Sequence, residues 1–226
     1  HKRARRNMVF FLCEITPWFL SLGKECMKLA IIGATGMVGR VLLETIRERP
    51  PLFNRVLLAA GPTSVGKKIG FAKETLRVQS VEDVLEEGPD YAIFSAGSEV
   101  SKAWAPKFAD QGIVVIDNSS AFRMQPEVPL VVPEINASAV KPGDQIIANP
   151  NCSTIQMVLA LSGLHKKYRL KRLVIATYQS VSGTGKKAVQ QLHNERQGIE
   201  GEMAYPYPID KNCLPHNGPF DDMGYT

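Results

Sequence analysis

Apolar residues recur along this chain in two spacings, and the alternation between them predicts the architecture. Short unbroken runs, KLAII (28–32), RVLLAA (55–60), YAIFSA (91–96) and IVVID (113–117), have the length and β-branched content of strands buried on both faces. Amphipathic stretches separate them. GMVGRVLLETIRER (36–49) lies between the first two, and SEVSKAWAPKFADQG (98–112), with Val100, Trp104 and Phe108 on one helical face, lies between the last two. Buried strands joined by helices imply right-handed βαβ crossovers and a parallel sheet. The expected fold class is therefore α/β, a Rossmann-type doubly wound parallel sheet.

The texture changes near Asn149. A helix is predicted over 153–164, then a long strand-like run, RLVIATYQSV (172–181), then SGTGKKAVQQLHNERQ (182–197), a glycine turn opening a helix. The remainder, YPYPIDKNCLPHNGPFDDMGYT, is rich in Pro, Gly and Asn and has no periodicity. With one strong strand, this second part reads as the start of an incomplete α+β domain. The expected division is a leader over 1–26 outside the fold, a nucleotide-binding domain over 27–148 and the beginning of a catalytic and dimerisation domain over 149–226. In the leader, a basic start precedes an apolar stretch that Glu14 and Pro17 interrupt and that is too short to span a bilayer. Met27 stands directly before the first strand, so folding is expected to begin there; a cleaved or membrane-associated leader is the alternative.

Charge adds little to this picture. The 226 residues carry a formal net charge of +5, but the first 26 hold five basic residues against two acidic ones, so the excess is concentrated there. No basic stripe interleaved with aromatics follows, which argues against a nucleic-acid partner, and no membrane partner is expected. Cys13, Cys26, Cys152 and Cys213 are widely and irregularly spaced, without CxxC pairs. Neither a metal site nor a disulfide framework is indicated, and a reducing cytoplasm is the expected compartment.

Candidate chemistry begins with IIGATGMVG, which sets Gly33, Gly36 and Gly39 between a strand and a helix. A dinucleotide site needs a tight turn there, close approach of backbone to a pyrophosphate, and a helix N-terminus to receive the anion. The next strand ends in LLAAGPTSVGKK, with no carboxylate before Glu74 to hold a ribose 2′-hydroxyl. Thr63, Ser64, Lys67 and Lys68 are available instead to a 2′-phosphate, which favours NADP; the two lysines can equally be simply solvated. NPNCSTIQ (149–156) places Cys152 where Pro150 and Asn151 open a helix, with Ile155, Val158 and Leu159 at helical spacing. Unpaired N–H groups and the positive dipole end favour a thiolate at such a position. The alternative is a buried cysteine acting as a small hydrophobe.

Two more segments complete a pattern. DNSSAFRM (117–124) follows a strand and presents Arg123, suited to bidentate contact with phosphate or carboxylate, and TYQSVSGTGKKA (177–188) puts Gln179 at a strand end before a second glycine loop. In this order, with GATGMVG and NPNCSTIQ, these segments resemble aspartate-semialdehyde dehydrogenases from about Lys28 to Thr226. The resemblance implies an NADPH-dependent reduction of β-aspartyl phosphate to aspartate semialdehyde with release of phosphate, in lysine, threonine and methionine biosynthesis, by a homodimer. It implies Cys152 as nucleophile and Gln179 as the group orienting the acyl intermediate. Arg123 matches the phosphate-binding arginine, with Asn151 beside it as a substrate or phosphate ligand. Gly33, Thr35, Gly36, Met37 and Val38 match the cofactor loop. Ser64, Ser95, Ala96 and Gly97 fall where the family chain passes the cofactor, and Ser182 and Gly183 correspond to the loop reaching toward the nicotinamide.

Two departures qualify what the resemblance implies. Where family members often read Ser-x-Arg-Ser-x-Gly after the second strand, this chain has Gly61, Pro62, Thr63, Ser64, Val65 and Gly66, which puts strict NADP preference in doubt. No residue here matches the family's catalytic histidine or its carboxylate-binding arginine: His165 reads as a surface residue, His193 lies on a polar helix, His216 in a loop and His1 in the leader. The chain thus reads as a fragment, expected to be inactive or nearly so alone. The competing readings are an N-acetyl-γ-glutamyl-phosphate reductase, in which an aromatic residue tends to follow the cysteine where Ser153 stands here, and a non-catalytic NADP-binding module.

Overall fold

A computed structural model describes residues 27–48, 53–214 and 222–223. The leader, with Cys13 and Cys26, and His216 lie outside the described residues. Those described fall into two compact units, one ending at Ile175 and the other beginning at Ala176.

The first unit is built on a seven-stranded sheet: β1 (Lys28–Ile32), β2 (Arg55–Ala59), β3 (Lys68–Phe71), β4 (Glu74–Gln79), β5 (Tyr91–Phe94), β6 (Val114–Asp117) and β7 (Ile146–Ala148). The spatial order is β3-β4-β2-β1-β5-β6-β7, and every pairing is parallel except β3 with β4. Helices α1 (Met37–Arg47), α2 (Val81–Glu86) and α3 (Ser98–Asp110) make the crossovers, followed by the short α4 (Pro133–Asn136) and by α5 (Cys152–Tyr168). The four strands read from apolar runs are all present. Alternate residues of β1 explain why they had to be apolar throughout. Leu29 and Ile31 join Leu42 and Leu43 of α1 on one face, while Ala30 and Ile32 join Phe94 and Phe108 on the other. Phe108 of α3 meets Phe94 edge-on, with ring centroids 5.2 Å apart.

β3, β4 and β7 carry little apolar signal. β3 and β4 form an exposed antiparallel edge in which only Val78 is buried, so polar residues are tolerated at most positions. β7 is three residues long. Conversely, the run 172–181 forms no strand: residues 172–180 are irregular and exposed, with Val174 86% and Tyr178 87% accessible, and Val181 opens a 3-10 turn. No described strand pairs with it, and propensity alone does not hold a strand without a neighbouring ladder.

The second unit holds α6 (Lys186–Gln197), preceded by a single 3-10 turn at Val181–Gly183. Its centre is polar. Gln191, 2% exposed, donates through Nε2 to Glu195 Oε1 (2.8 Å) and the Tyr207 carbonyl (3.1 Å), and its Oε1 accepts from the Ala204 and Tyr205 N–H groups at 2.7 and 2.9 Å. Glu195 Oε2 accepts from Ile209 and Asp210 N–H, each at 2.8 Å. One helix face thereby pins the irregular segment 204–210, whose Pro-rich sequence cannot order itself through regular structure.

Candidate active site

The sheet order reverses at β1, with β2 on one side and β5 on the other. Beyond the carboxyl ends of the strands at such a reversal, an open α/β sheet offers its ligand crevice. The backbone stays paired past the strand ends and fixes the rim: Ser95 N–H donates to the Ile32 carbonyl (2.8 Å), Asn118 N–H to Phe94 (2.9 Å) and Asn149 N–H to Asp117 (2.9 Å). The cofactor loop, the Ser95–Gly97 turn, the Arg123 turn and the start of α5 therefore line one edge of a single sheet.

In the loop after β1, Gly33 and Ala34 N–H both donate to the Ala59 carbonyl, at 2.8 and 3.0 Å, and Gly33 has φ +94°. A Cβ at Gly33 would lie 2.4 Å from the Ser95 carbonyl oxygen, and one at Gly39 2.4 Å from that of Gly33. The first and third glycines thus serve close packing of loop, strand and helix. Gly36 is the N-cap of α1 and contributes no side-chain cap, so the first-turn N–H groups remain for an anion. Gly36, Met37 and Val38 are exposed and Thr35 is half-buried. This arrangement fits a dinucleotide pyrophosphate. Thr35 Oγ1 donates to Ser64 Oγ at 3.4 Å, and Lys67 Nζ donates to the same oxygen at 3.2 Å. Two hydroxyls and an ammonium thus meet beyond the end of β2, where the sequence has no carboxylate. Lys68 instead begins the edge strand β3, paired with Arg77. Ser95 and Ala96 are half-buried, and Gly97 (φ +95°) caps α3 without a side-chain hydrogen bond.

Cys152 is the first residue of α5 and is an exposed thiol. The helix starts there because Asn151 Oδ1 accepts the Thr154 N–H at 2.8 Å, an N-cap that commits the Asn151 side chain to the helix. The helix runs four residues beyond its predicted end, and Ile155, Val158 and Leu159 are half-buried. Arg123 is half-buried. Its Nε donates to the Asn149 carbonyl (2.9 Å) and its Nη2 to the Asn118 carbonyl (3.1 Å), while Asn149 Nδ2 donates to Asn118 Oδ1 (2.7 Å). Burial pulls the Arg123 guanidinium below its ordinary pKa, and the charges of Asp117 and Cys152 push it back up. Arginine and sulfur therefore share one electrostatic neighbourhood.

In the second unit, Gln179, Ser182 and Gly183 are exposed. Gln179 precedes the 3-10 turn in irregular chain, without the strand end the sequence predicts, because no described strand offers the segment a ladder. The turn is held by Ser182 N–H and Oγ donating to Ser180 Oγ, at 3.4 and 3.1 Å, and Thr184 and Tyr205 pair through their hydroxyls. His165 is exposed in the last turn of α5, and His193 is exposed on α6. Among the described residues no three His, Cys, Asp or Glu side chains gather as a metal site, and no helix is long and apolar enough to cross a membrane. Sequence reasoning missed Asp117, Asn118 and Asn149. The available signal was a carboxylate closing an otherwise apolar run, IVVID.

Sheet, loop and helix starts together define an α/β dinucleotide-binding protein with a cysteine on the rim of its cofactor crevice. The chain belongs to the semialdehyde dehydrogenase family: residues 28–142 match its NAD binding domain and residues 161–226 its dimerisation domain. It is 47% identical over 208 residues to the aspartate-semialdehyde dehydrogenase of Aquifex aeolicus, covering 88% of this chain and 61% of that protein. The crystal structure of aspartate semialdehyde dehydrogenase II from Vibrio cholerae complexed with ASA superposes with a TM-score of 0.83 at 41% identity, covering 90% of this chain and 62% of that one. The Candida albicans enzyme with NADP gives a TM-score of 0.50 at 27% identity, covering 64% and 48%. The chain thus spans about three fifths of the length of the nearer relatives.

Proposed function

We propose that this chain carries the cofactor site, nucleophile and phosphate ligand of an NADP-dependent aspartate-semialdehyde dehydrogenase, within a protein that acts as a cytoplasmic homodimer. On this reading residues 27–148 bind the dinucleotide, and a catalytic and dimerisation part begins at Asn149. The observation that carries it is the shared rim, on which Cys152 opens a helix next to Arg123 beyond the same strand ends as the glycine loop. Arg123 receives the phosphoryl group of β-aspartyl phosphate, and the Cys152 thiolate attacks the acyl carbon. The new C–S bond forms as the C–O bond to phosphate breaks, leaving a thioester and inorganic phosphate. The N–H groups at the start of α5 stabilise the oxyanion of the addition step. NADPH, held by the glycine loop, would supply the hydride that takes the thioester to the aldehyde level, and breaking of the C–S bond would then regenerate the Cys152 thiolate. The family resemblance further assigns Gln179 to the acyl group and Ser182 and Gly183 to the nicotinamide end. NADP rather than NAD is supported by the meeting of Thr35, Ser64 and Lys67 and by the missing carboxylate after β2.

The test is acyl transfer alone. β-Aspartyl phosphate is expected to leave a hydroxylamine-sensitive acyl group on the Cys152 peptide, and Cys152→Ser to leave none. A chain that binds NADPH yet never acylates is a non-catalytic module. Faster acylation by N-acetyl-γ-glutamyl phosphate would transfer the assignment to that reductase.

A further inference from the structure

Asp117 closes β6 with its side chain fully buried, and the proposed reaction does not use it. Burying a carboxylate is costly unless its oxygens are satisfied. Among the described residues no cation lies within ion-pair distance; the partners are neutral. Ser101 Oγ on α3 donates to Oδ1 at 2.6 Å, Ser119 N–H to Oδ1 at 3.2 Å and Ser119 Oγ to Oδ2 at 2.7 Å. Ser119 Oγ in turn accepts the Ala121 N–H at 3.0 Å. The carboxylate thereby shapes the turn 117–121, and that turn leads to Arg123. Arg123 then reaches back to the Asn118 and Asn149 carbonyls, so the same network ends three residues before Cys152.

We propose that Asp117 is a positioning residue: its buried carboxylate sets the turn that carries Arg123 and, through Arg123, the backbone leading to Cys152, holding the guanidinium for an anion beside the sulfur. This rests on the roles assigned above to Arg123 and Cys152. Nη1 is left for that anion, since Nε and Nη2 are engaged by carbonyls.

The test compares alkylation of Cys152 by iodoacetate and by neutral iodoacetamide, resolved by peptide mass spectrometry with exposed Cys213 as internal reference. A held cation beside the sulfur raises the iodoacetate-to-iodoacetamide rate ratio over that at Cys213, on the order of fivefold, and Arg123→Gln removes the excess. The sign of the Asp117→Asn effect decides. Charge alone predicts a higher ratio, because a negative group has gone; loss of positioning predicts a fall toward the Arg123→Gln value. Ser119→Ala, which keeps the carboxylate and the backbone N–H bond to it but removes both hydroxyl bonds of the turn, is expected to fall part of the way and covers the case in which Asp117→Asn does not fold. An unchanged or raised ratio in whichever variants fold overturns the inference while leaving Arg123 in place. Equal ratios in the parent and Arg123→Gln overturn both the inference and the reading on which it rests.

Discussion

Replacing Gly33 with alanine separates the structural from the binding role of the glycine loop. Two costs arise at this position. At φ +94° an L side chain is strained by about 1–3 kcal/mol. The new Cβ would also sit 2.4 Å from the Ser95 carbonyl oxygen and 2.7 Å from its carbon, a backbone obstacle held by the Ser95 N–H bond to Ile32. Relieving that overlap moves β5 against β1 and costs about another 1–3 kcal/mol. The sum, roughly 2–6 kcal/mol, is a large share of the about 5–15 kcal/mol that holds a typical domain folded. Gly36→Ala is the control. Its φ of −71° suits any residue, and its Cβ would meet only the Gly33 carbonyl oxygen at 3.2 Å, so the loss is about 0.5–1 kcal/mol, the difference between glycine and alanine at an N-cap. Urea unfolding followed by circular dichroism measures both. NADPH fluorescence titration should show the reverse emphasis, with Gly36→Ala folded but weakened in binding where backbone must approach the pyrophosphate. A Gly33→Ala protein within about 1 kcal/mol of the parent would show that the loop relaxes freely and that its geometry does not constrain the sequence.

Three further outcomes are expected. Burial, and secondarily the charge of Asp90, raise the Tyr91 hydroxyl to about 12; the unfolded chain releases that proton near pH 10, so stability is intact below about pH 10 and falls by about 2–3 kcal/mol as pH rises through about 12. Tyr91→Phe should lack this component when urea midpoints at about pH 9 and 11.5 are compared. Lys67→Glu should weaken NADPH binding roughly fivefold to tenfold while sparing NADH, measured by fluorescence titration, because Lys67 meets the Ser64 hydroxyl beyond β2; equal losses for both cofactors would remove the 2′-phosphate assignment. Gln191→Leu leaves the Ala204 and Tyr205 N–H groups without their acceptor, costing about 2–4 kcal/mol, and hydrogen exchange over 204–210 should accelerate before that of α6.

What could be read from the chain follows from how each element is stabilised. β1, β2, β5 and β6 are buried on both faces, so burial makes the positions between their ends apolar, with Lys28, Arg55 and Asp117 only at strand termini, and the run is visible without any knowledge of partners. The glycine loop is legible for a related reason: Gly33 and Gly39 stand where a Cβ would overlap backbone, a constraint that only glycine meets. Arg123 and Cys152 were legible through motif and helix start. The groups that connect them were not. Asn118 and Asn149 act through their own carbonyls and through one amide pair, and a backbone carbonyl leaves no trace in residue type.

The segment 172–181 shows the converse limit. Its residues have high strand propensity, yet Leu173, Val174, Ile175 and Tyr178 are exposed and no described strand lies beside them. A helix satisfies its backbone within itself, which is why α5 and α6 could be placed from local periodicity, whereas a strand takes all its ladder hydrogen bonds from neighbours that its own sequence does not name. Gln179 inherits this dependence. Of the proposed acyl-handling groups, then, Cys152 is set by a local cap that the sequence announces, whereas Gln179 stands in a segment whose strand propensity no described strand answers.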